Sequence, residues 1–140
     1  MPKTLAAFLL LIVTLRADAA VHIWTGASST LFSDPSNWEG GSPAGPVAAD
    51  LSFPAGAIRL AATNDLPGLA IRSLSISAPG YTIGGLPLTL ASGGEVTDSS
   101  PGPNAIECNL YLAGGATFRS AGNRDYAGGS ILSGAIGGVG

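Results

Sequence analysis

The chain has 140 residues, enough for one domain, and only 11% of them are charged while 46% are hydrophobic. This composition excludes a classical disordered chain, which needs many charges and few apolar residues. The formal net charge is −3 and there is no basic patch, so we expect neither nucleic acid nor an anionic membrane as a partner. The 21 glycines follow no strict third-residue period, which excludes collagen.

The first 19 residues have the three parts of a secretory signal peptide. Lys3 supplies a positive charge, Leu5 to Leu15 is an apolar run without charge, and Ala17-Asp18-Ala19 is the small-x-small pattern of a cleavage site. The run is shorter than the ~20 residues needed to span a bilayer. A buried core helix is the alternative interpretation. The pattern predicts residues 1–19 as a cleaved signal peptide and a secreted or cell-surface product without a later membrane span. Cleavage after Ala19 would leave four basic and eight acidic residues, a net charge of −4.

Residues 20–56 contain both tryptophans and are predicted to be an entry segment that caps the fold. Val21 to Thr25 alternates as a first strand, and Leu51 and Phe53 share the parity of another strand that Pro54 ends. Trp24 and Trp38 are expected to cover an apolar end of the fold, since large aromatic side chains are usually well buried. The alternative is a platform on which a sugar stacks.

Residues 57–140 read as short strands separated by glycine and proline turns, with no helical segment. Apolar residues alternate with polar ones in each strand, which is typical of a sheet with one buried face. Gly93-Gly94 is predicted to end one strand. The predicted strands contain Ile58 and Leu60; Arg72, Leu74, Ile76 and Ala78; Tyr81 and Ile83; Leu86, Leu88 and Leu90; Ile106, Cys108, Leu110 and Leu112; Ala116 and Phe118; and Ile131-Leu132.

The spacing of three leucines indicates repetition. Leu88 and Leu110 are 22 positions apart, as are Leu110 and Leu132, whereas Leu74 and Leu88 depart from this period. Self-similarity at a period of ~20 to 50 residues is the signature of a solenoid. We therefore predict an all-β fold, a β-solenoid with a few coils. An antiparallel jelly roll or sandwich is the alternative, but it usually has a more aromatic core.

The chain also resembles the bacterial secreted proteins that carry autotransporter-associated β-strand repeats. The residues that carry the resemblance are Trp24, Gly26, Asp34, Asn37, Trp38, Gly41, Pro43, Asp50 and Phe53, with Tyr81-Thr82-Ile83-Gly84, Leu86 to Leu90 and Leu132 to Gly138. The resemblance implies a right-handed parallel β-helix at the cell surface or outside the cell. It implies no catalytic residues.

Ser133 to Gly140 contains no charged segment to cap a last coil, although a terminal coil normally needs a polar outer face. We therefore expect the chain to be the N-terminal part of a longer repeat protein. Its predicted role is an adhesin-like passenger or scaffold, with an extracellular carbohydrate or surface partner and no catalysis. The alternative is the first coils of a carbohydrate-active β-helix enzyme with its active site beyond residue 140.

No residue stands out as catalytic, cofactor-binding or metal-binding, and no cofactor is predicted. Cys108 is the only cysteine and is expected to be a small buried residue, while His22 is the only histidine. One cysteine and one histidine cannot form the usual His/Cys zinc site. Gly40 to Ala44 lacks the last glycine of a nucleophile elbow, and Gly134 to Gly140 lacks the lysine of a phosphate loop.

Carboxylates are the remaining candidates for catalysis, because glycoside hydrolysis needs two of them ~5 to 10 Å apart. In a solenoid, such a pair would come from neighbouring coils. Glu107 and Asp125 are the best-placed acids by spacing. Surface solvation is the simpler interpretation of both, since charged residues are mostly exposed unless paired.

Overall fold

The computed structural model describes residues 19–120, 131–132 and 134–138. The predicted signal peptide therefore lies, apart from Ala19, outside the described residues. Among those residues there is no helix long and apolar enough to cross a bilayer. The elements are β1 Val21–Trp24, a 3-10 helix Pro35–Asn37, β2 Trp38–Glu39, β3 Ala49–Phe53, β4 Ala61–Asn64, β5 Ala70–Ile76, β6 Thr82–Gly85, β7 Leu88–Asp98, β8 Ala105–Ile106, β9 Leu110–Leu112, β10 Ala116–Ser120, β11 Ile131–Leu132 and β12 Ile136–Gly138.

The strands form two sheets that run along the molecule. The order in the larger sheet is β12-β9-β7-β5-β3-β1-β2 with β10 beside β7, and in the smaller sheet it is β11-β8-β6-β4. Every described pairing is parallel except that of β1 with β2. The described chain is therefore a β-solenoid of about four turns, which confirms the predicted fold class. The antiparallel sandwich is excluded.

A register shift divides the larger sheet into two ladders. Ile71 of β5 pairs with Leu90 of β7, but Ser73, only two residues later, pairs with Glu95. We call the ladder before the shift ladder I; it contains Ala70–Ile71, Leu88–Leu90, β9 and β12. Ladder II follows the shift and contains β1, β3, 73–76, 95–98 and β10. The smaller sheet is ladder III. Each full coil passes through the three ladders in turn.

Gly93-Gly94 does not end a strand, contrary to the prediction. β7 continues from Leu88 to Asp98 and turns a corner through Ala91 to Gly93. The corner is repeated one coil later at 113–115, and Gly93 N donates to Gly115 O at 2.6 Å. Gly93 has φ +75°, a conformation that glycine adopts without the steric cost of a side chain. The glycine pair therefore shapes a corner inside a strand.

The pairing confirms one of the two 22-residue intervals. Leu88 pairs with Leu110, as the spacing predicts, but Leu110 pairs with Ile136 rather than Leu132. Leu132 pairs with Ile106, 26 positions earlier, because the last described coil is longer than the others. Leu74 keeps the 22-residue interval with Val96 rather than with Leu88.

Three further strand predictions are corrected. Ile58 and Leu60 form no strand and are exposed; β4 begins at Ala61. The run from Ile106 to Leu112 is two strands, β8 and β9, which lie in different sheets. Arg72 is exposed rather than buried with Leu74, because the register shift at this position lets its side chain leave the inward-facing row.

The N-terminal residues close one end of both sheets, which fits the predicted capping role. β2 pairs with the outer edge of β1, so β1 has a partner on each side. Leu31 makes a parallel bridge to Thr63 of β4, where Phe32 N donates to Thr63 O at 3.0 Å. An open sheet edge invites association with other chains, and these contacts cover it.

An aromatic cluster fills the space beneath this cap. Trp24, Phe32, Trp38 and Phe53 form six ring pairs with centroids 4.9–6.3 Å apart, and Tyr81 packs on Phe53 at 5.3 Å. The two tryptophans are only 1% and 5% exposed. This confirms that both are buried, as predicted, and excludes them as a sugar-stacking platform. Both indole N–H groups donate to backbone carbonyls, Trp24 to Arg59 at 2.7 Å and Trp38 to Phe32 at 3.0 Å.

Candidate functional site

The best candidate for an interaction surface is the outer face of ladder II. Residues that alternate with the core positions form two rows across the stacked strands, and we call them together the hydroxyl face. One row is Asp50, Ser73, Glu95 and Thr117, and the other is Ser52, Ser75, Thr97 and Arg119. Parallel strands lie ~4.8 Å apart, so these groups repeat at a regular interval along the solenoid. The result is a regular polar surface.

Two ion pairs belong to this face. Arg72 donates to both carboxylate oxygens of Asp50, through Nε at 3.0 Å and through Nη2. Arg119 Nε lies 2.7 Å from Glu95 Oε1, one coil further along. Each pair joins one positive and one negative group, so the charges of the face cancel. A neutral, hydroxyl-rich surface suits a ligand that exchanges hydrogen bonds rather than a polyanion.

The carboxylate of Asp50 is held in its ionised form by its neighbours. Burial opposes ionisation, but hydrogen bonds from Arg72 and Ser73 and the positive charges of Arg72 and His22 outweigh it, so the pKa of Asp50 falls below its ordinary value of 3.8. Ser73 Oγ donates to Asp50 Oδ1 at 2.7 Å. Asp50 therefore joins β3 to β5 on the hydroxyl face.

Asp50→Asn is expected to lower the free energy of unfolding at pH 7 by about 1–2 kcal/mol, since it weakens hydrogen bonds to a charged group. Because the folded-state pKa of Asp50 is depressed, its contribution is present above pH 3.8 and is lost as pH falls through the folded pKa. The difference between the two proteins should therefore shrink between pH 5 and pH 2 in urea denaturation curves. A difference that is constant over this range would contradict the assignment.

Cys108 is buried, as predicted, and it does not meet His22. It is 2% exposed at the corner between β8 and β9, and burial raises the pKa of its thiol to about 11. His22 lies on β1, and β3, β5 and β7 separate that strand from β9. His22 Nδ1 hydrogen-bonds with Gly41 O at 2.8 Å instead. A thiol with a raised pKa and no nearby base is a weak nucleophile.

Only one acid of the suggested pair lies among the described residues. Glu107 is exposed on the turn between β8 and β9, whereas Asp125 lies outside the described residues. In the described ranges, no group of three or more His, Cys, Asp or Glu side chains could hold a metal ion. Gly40 to Ala44 forms part of the loop between β2 and β3, and Gly134 and Ala135 lead into β12. The pairing of Glu107 and Asp125 stays a prediction.

A buried polar cluster lies where the chain passes from β7 to β8. Asn104 Nδ2 donates to Asp98 Oδ2 at 3.0 Å and to Ser100 Oγ at 2.8 Å, while its Oδ1 accepts from Tyr81 N at 2.8 Å. Ser100 N donates to Asp98 Oδ1 at 2.8 Å. These contacts order the turn that leads from β7 to β8, so the cluster has a structural role.

Local alternation in the sequence does not reveal the rows of the hydroxyl face. Ser73, Ser75 and Ser77 stand out as one polar parity, but Ser52, Thr97 and Thr117 lie 21 to 44 residues away from Ser73 or Ser75. Only the register of the coils places them in line. A 22-residue comparison of polar positions is the signal that could have indicated the face.

Comparison with known proteins does not identify a relative of this chain. No protein-family model, no curated protein and no solved structure matches it.

Proposed function

We propose that this chain is an exported β-solenoid scaffold, an adhesin-like passenger segment that binds a neutral extracellular polysaccharide through its hydroxyl face. The observation that carries the proposal is the repeated row Ser52, Ser75 and Thr97. Each of these side chains is half-buried on a strand paired on both sides, so the sheet fixes its position while part of it stays open to solvent. Groups that are ordered before binding lose little conformational entropy on binding a ligand.

Three features support export and a surface role. The first 19 residues have the pattern of a signal peptide, the composition is poor in charge, and the sequence motifs resemble those of the secreted proteins with autotransporter-associated β-strand repeats. A solenoid presents a long, regular surface, which suits a ligand that itself repeats. In this proposal the protein acts by binding and the coils serve as a rigid support.

Ser75→Lys and Thr97→Lys are expected to weaken binding to an insoluble neutral polysaccharide by about tenfold or more, because each removes a hydroxyl from the row and adds a bulky charge. Chain recovered from the medium of an expressing bacterial culture would be mixed with amorphous cellulose or chitin, and the unbound fraction measured. An N-terminal sequence that starts at Ala20 or Val21 is expected for the recovered chain.

Thr82→Lys is the matched control, since Thr82 is a half-buried outward-facing threonine of ladder III, away from the hydroxyl face. Its binding should stay close to that of the unmodified chain. Absence of binding to both polysaccharides, or equal losses in all three variants, would overturn the carbohydrate part of the proposal. An intracellular product with an intact leader would overturn the export part.

A further inference from the structure

The second row of the hydroxyl face does not end at Ser52 but continues onto the cap. Ile23 of β1 pairs with Ser52, and Glu39 of β2 pairs with Ile23. Residues directly opposite each other in paired strands lie on the same face of a sheet, and the next residue, Trp24, is buried on the inward face. Glu39 therefore stands at the cap end of the row that contains Ser52 and Ser75.

A concavity lies beside Glu39, where the hydroxyl face meets the cap. We call it the cap cavity; its volume is about 120 Å³, and its walls come from β1, β2 and the turn that follows β3. The lining residues include Ile23, Thr25, Glu39, Pro54 and Ala55. Pockets for drug-sized ligands start at ~300 Å³, so the cap cavity has room for one small group, such as part of a single sugar unit.

Hydrogen bonds fix the walls of the cap cavity. Thr25 N donates to Asn37 O at 2.8 Å, and Thr25 O accepts from Ile58 N at 2.8 Å. On the opposite wall, Pro54 O accepts from Tyr81 Oη at 2.5 Å. A cavity whose walls are ordered before binding loses little conformational entropy when it is occupied.

Glu39 gives this cavity a negative charge that no ion pair within the described residues neutralises. The carboxylates of Asp50 and Glu95 are each paired with an arginine, whereas Glu39 is exposed and forms no ion pair with any described residue. Over the whole sequence, nine acidic residues outnumber six basic ones. The local charge and the overall charge both favour a ligand group that is positively charged.

We propose that the cap cavity binds an amino sugar whose ammonium group pairs with the Glu39 carboxylate. This inference rests on the proposed function, because the rest of the polysaccharide would lie along the hydroxyls of Ser52, Ser75 and Thr97. The ligand chain then runs across the strands, along the axis of the solenoid. The ligand class is that of deacetylated chitin, in which amines replace acetamido groups.

Titration of the isotope-labelled full chain with hexamers of glucosamine and of N-acetylglucosamine, followed by NMR, tests this proposal. At slightly acidic pH and low ionic strength, we expect the glucosamine hexamer to bind about threefold tighter or more, the effect of one exposed ion pair. The amide signals of Ile23, Thr25 and Gly56 should shift as it binds. The preference should shrink in ~1 M salt, which screens exposed charges.

Three variants separate a site from a general effect of charge. Glu39→Gln removes the charge at almost constant size, so it should abolish the preference and leave binding of the N-acetylglucosamine hexamer within about twofold. Glu107→Gln is the matched control, because Glu107 is exposed on the turn between β8 and β9 and its replacement changes the net charge equally. Ala55→Leu narrows the cavity while Glu39 stays, and it should also reduce the preference. Thermal unfolding shows that the variants fold.

Equal affinity for the two hexamers would overturn the cap cavity as an amino-sugar site. Equal effects of Glu39→Gln and Glu107→Gln, or a preference that survives Ala55→Leu, would overturn it as well. None of these results would touch the binding of neutral polysaccharide by the hydroxyl face. If neither hexamer binds, both proposals are wrong.

Discussion

Replacing Phe53 with alanine is expected to lower the free energy of unfolding by about 3–5 kcal/mol, the range for deleting a large aromatic side chain from a core. Phe53 is fully buried and contacts all the other rings of the aromatic cluster, at centroid distances of 5.3–6.3 Å. The substitution would leave a cavity between the cap and the first coils, where rings from several segments meet. A small local movement should not be enough to close this cavity. Urea denaturation followed by circular dichroism gives the measurement.

Ile58→Ala is the control for this substitution. Ile58 is also a large apolar residue of the N-terminal half, but it is 72% exposed, so we expect a change within about 0.5 kcal/mol. Similar losses in the two variants would show that burial in the aromatic cluster does not set the stability. A small loss for Phe53→Ala alone would mean that the cap contributes little to the fold.

Replacing Asn37 with alanine is expected to lower the free energy of unfolding by about 2–4 kcal/mol, because this one buried side chain forms hydrogen bonds with several backbone groups. Asn37 is 0% exposed and its Oδ1 accepts from Ser28 N at 2.9 Å and Ser29 N at 2.8 Å. Its Nδ2 donates to Ser29 Oγ at 2.8 Å and to Leu31 O at 2.9 Å. Alanine would remove all four of these partly buried hydrogen bonds. Amide exchange at Ser28 and Ser29 should accelerate strongly, and more than exchange in β5.

Two variants separate the causes of this loss. Asn37→Asp keeps the shape and the acceptor oxygen but replaces the amide donor, so it tests the contacts to Ser29 Oγ and Leu31 O alone. Asn109→Ala removes an exposed asparagine whose Oδ1 accepts from Ala135 N at 2.9 Å, and it should lower the free energy of unfolding by less than about 1 kcal/mol. If Asn37→Ala and Asn109→Ala cost the same, Asn37 does not organise the cap.

Much of the secondary structure and of the core can be predicted from alternation and turn residues. Leu51 and Phe53, Leu74 and Ile76, and Leu88 and Leu90 are all inward-facing as their parity indicates. A strand with one buried face must alternate, whatever its neighbours are, so this information is local. The same local rule misleads at Ile58, which is exposed outside any strand, and at Val21, which is 57% exposed while its neighbour His22 is buried.

The candidate hydroxyl face was much less accessible to prediction. Its hydroxyls lie on strands that are separated by whole coils, and the coils differ in length: Leu51 pairs with Leu74 after 23 residues, Leu74 with Val96 after 22, and Leu110 with Ile136 after 26. A single insertion in a corner shifts every later position along the row. Register between coils therefore depends on how each loop closes, which no local pattern encodes.

Composition and alternation predict an all-β chain of short strands with small turns, since these depend on neighbouring residues only. Tertiary structure decides which strands pair, that Gly93-Gly94 bends a strand instead of ending it, and that Arg72 leaves the core to hold Asp50. The reason is physical, because backbone hydrogen bonds between coils join residues about 22 positions apart. Their register is the one in which the whole core packs with the lowest free energy. The closed cap arises in the same way, from the strand edges that β2 and Leu31 cover.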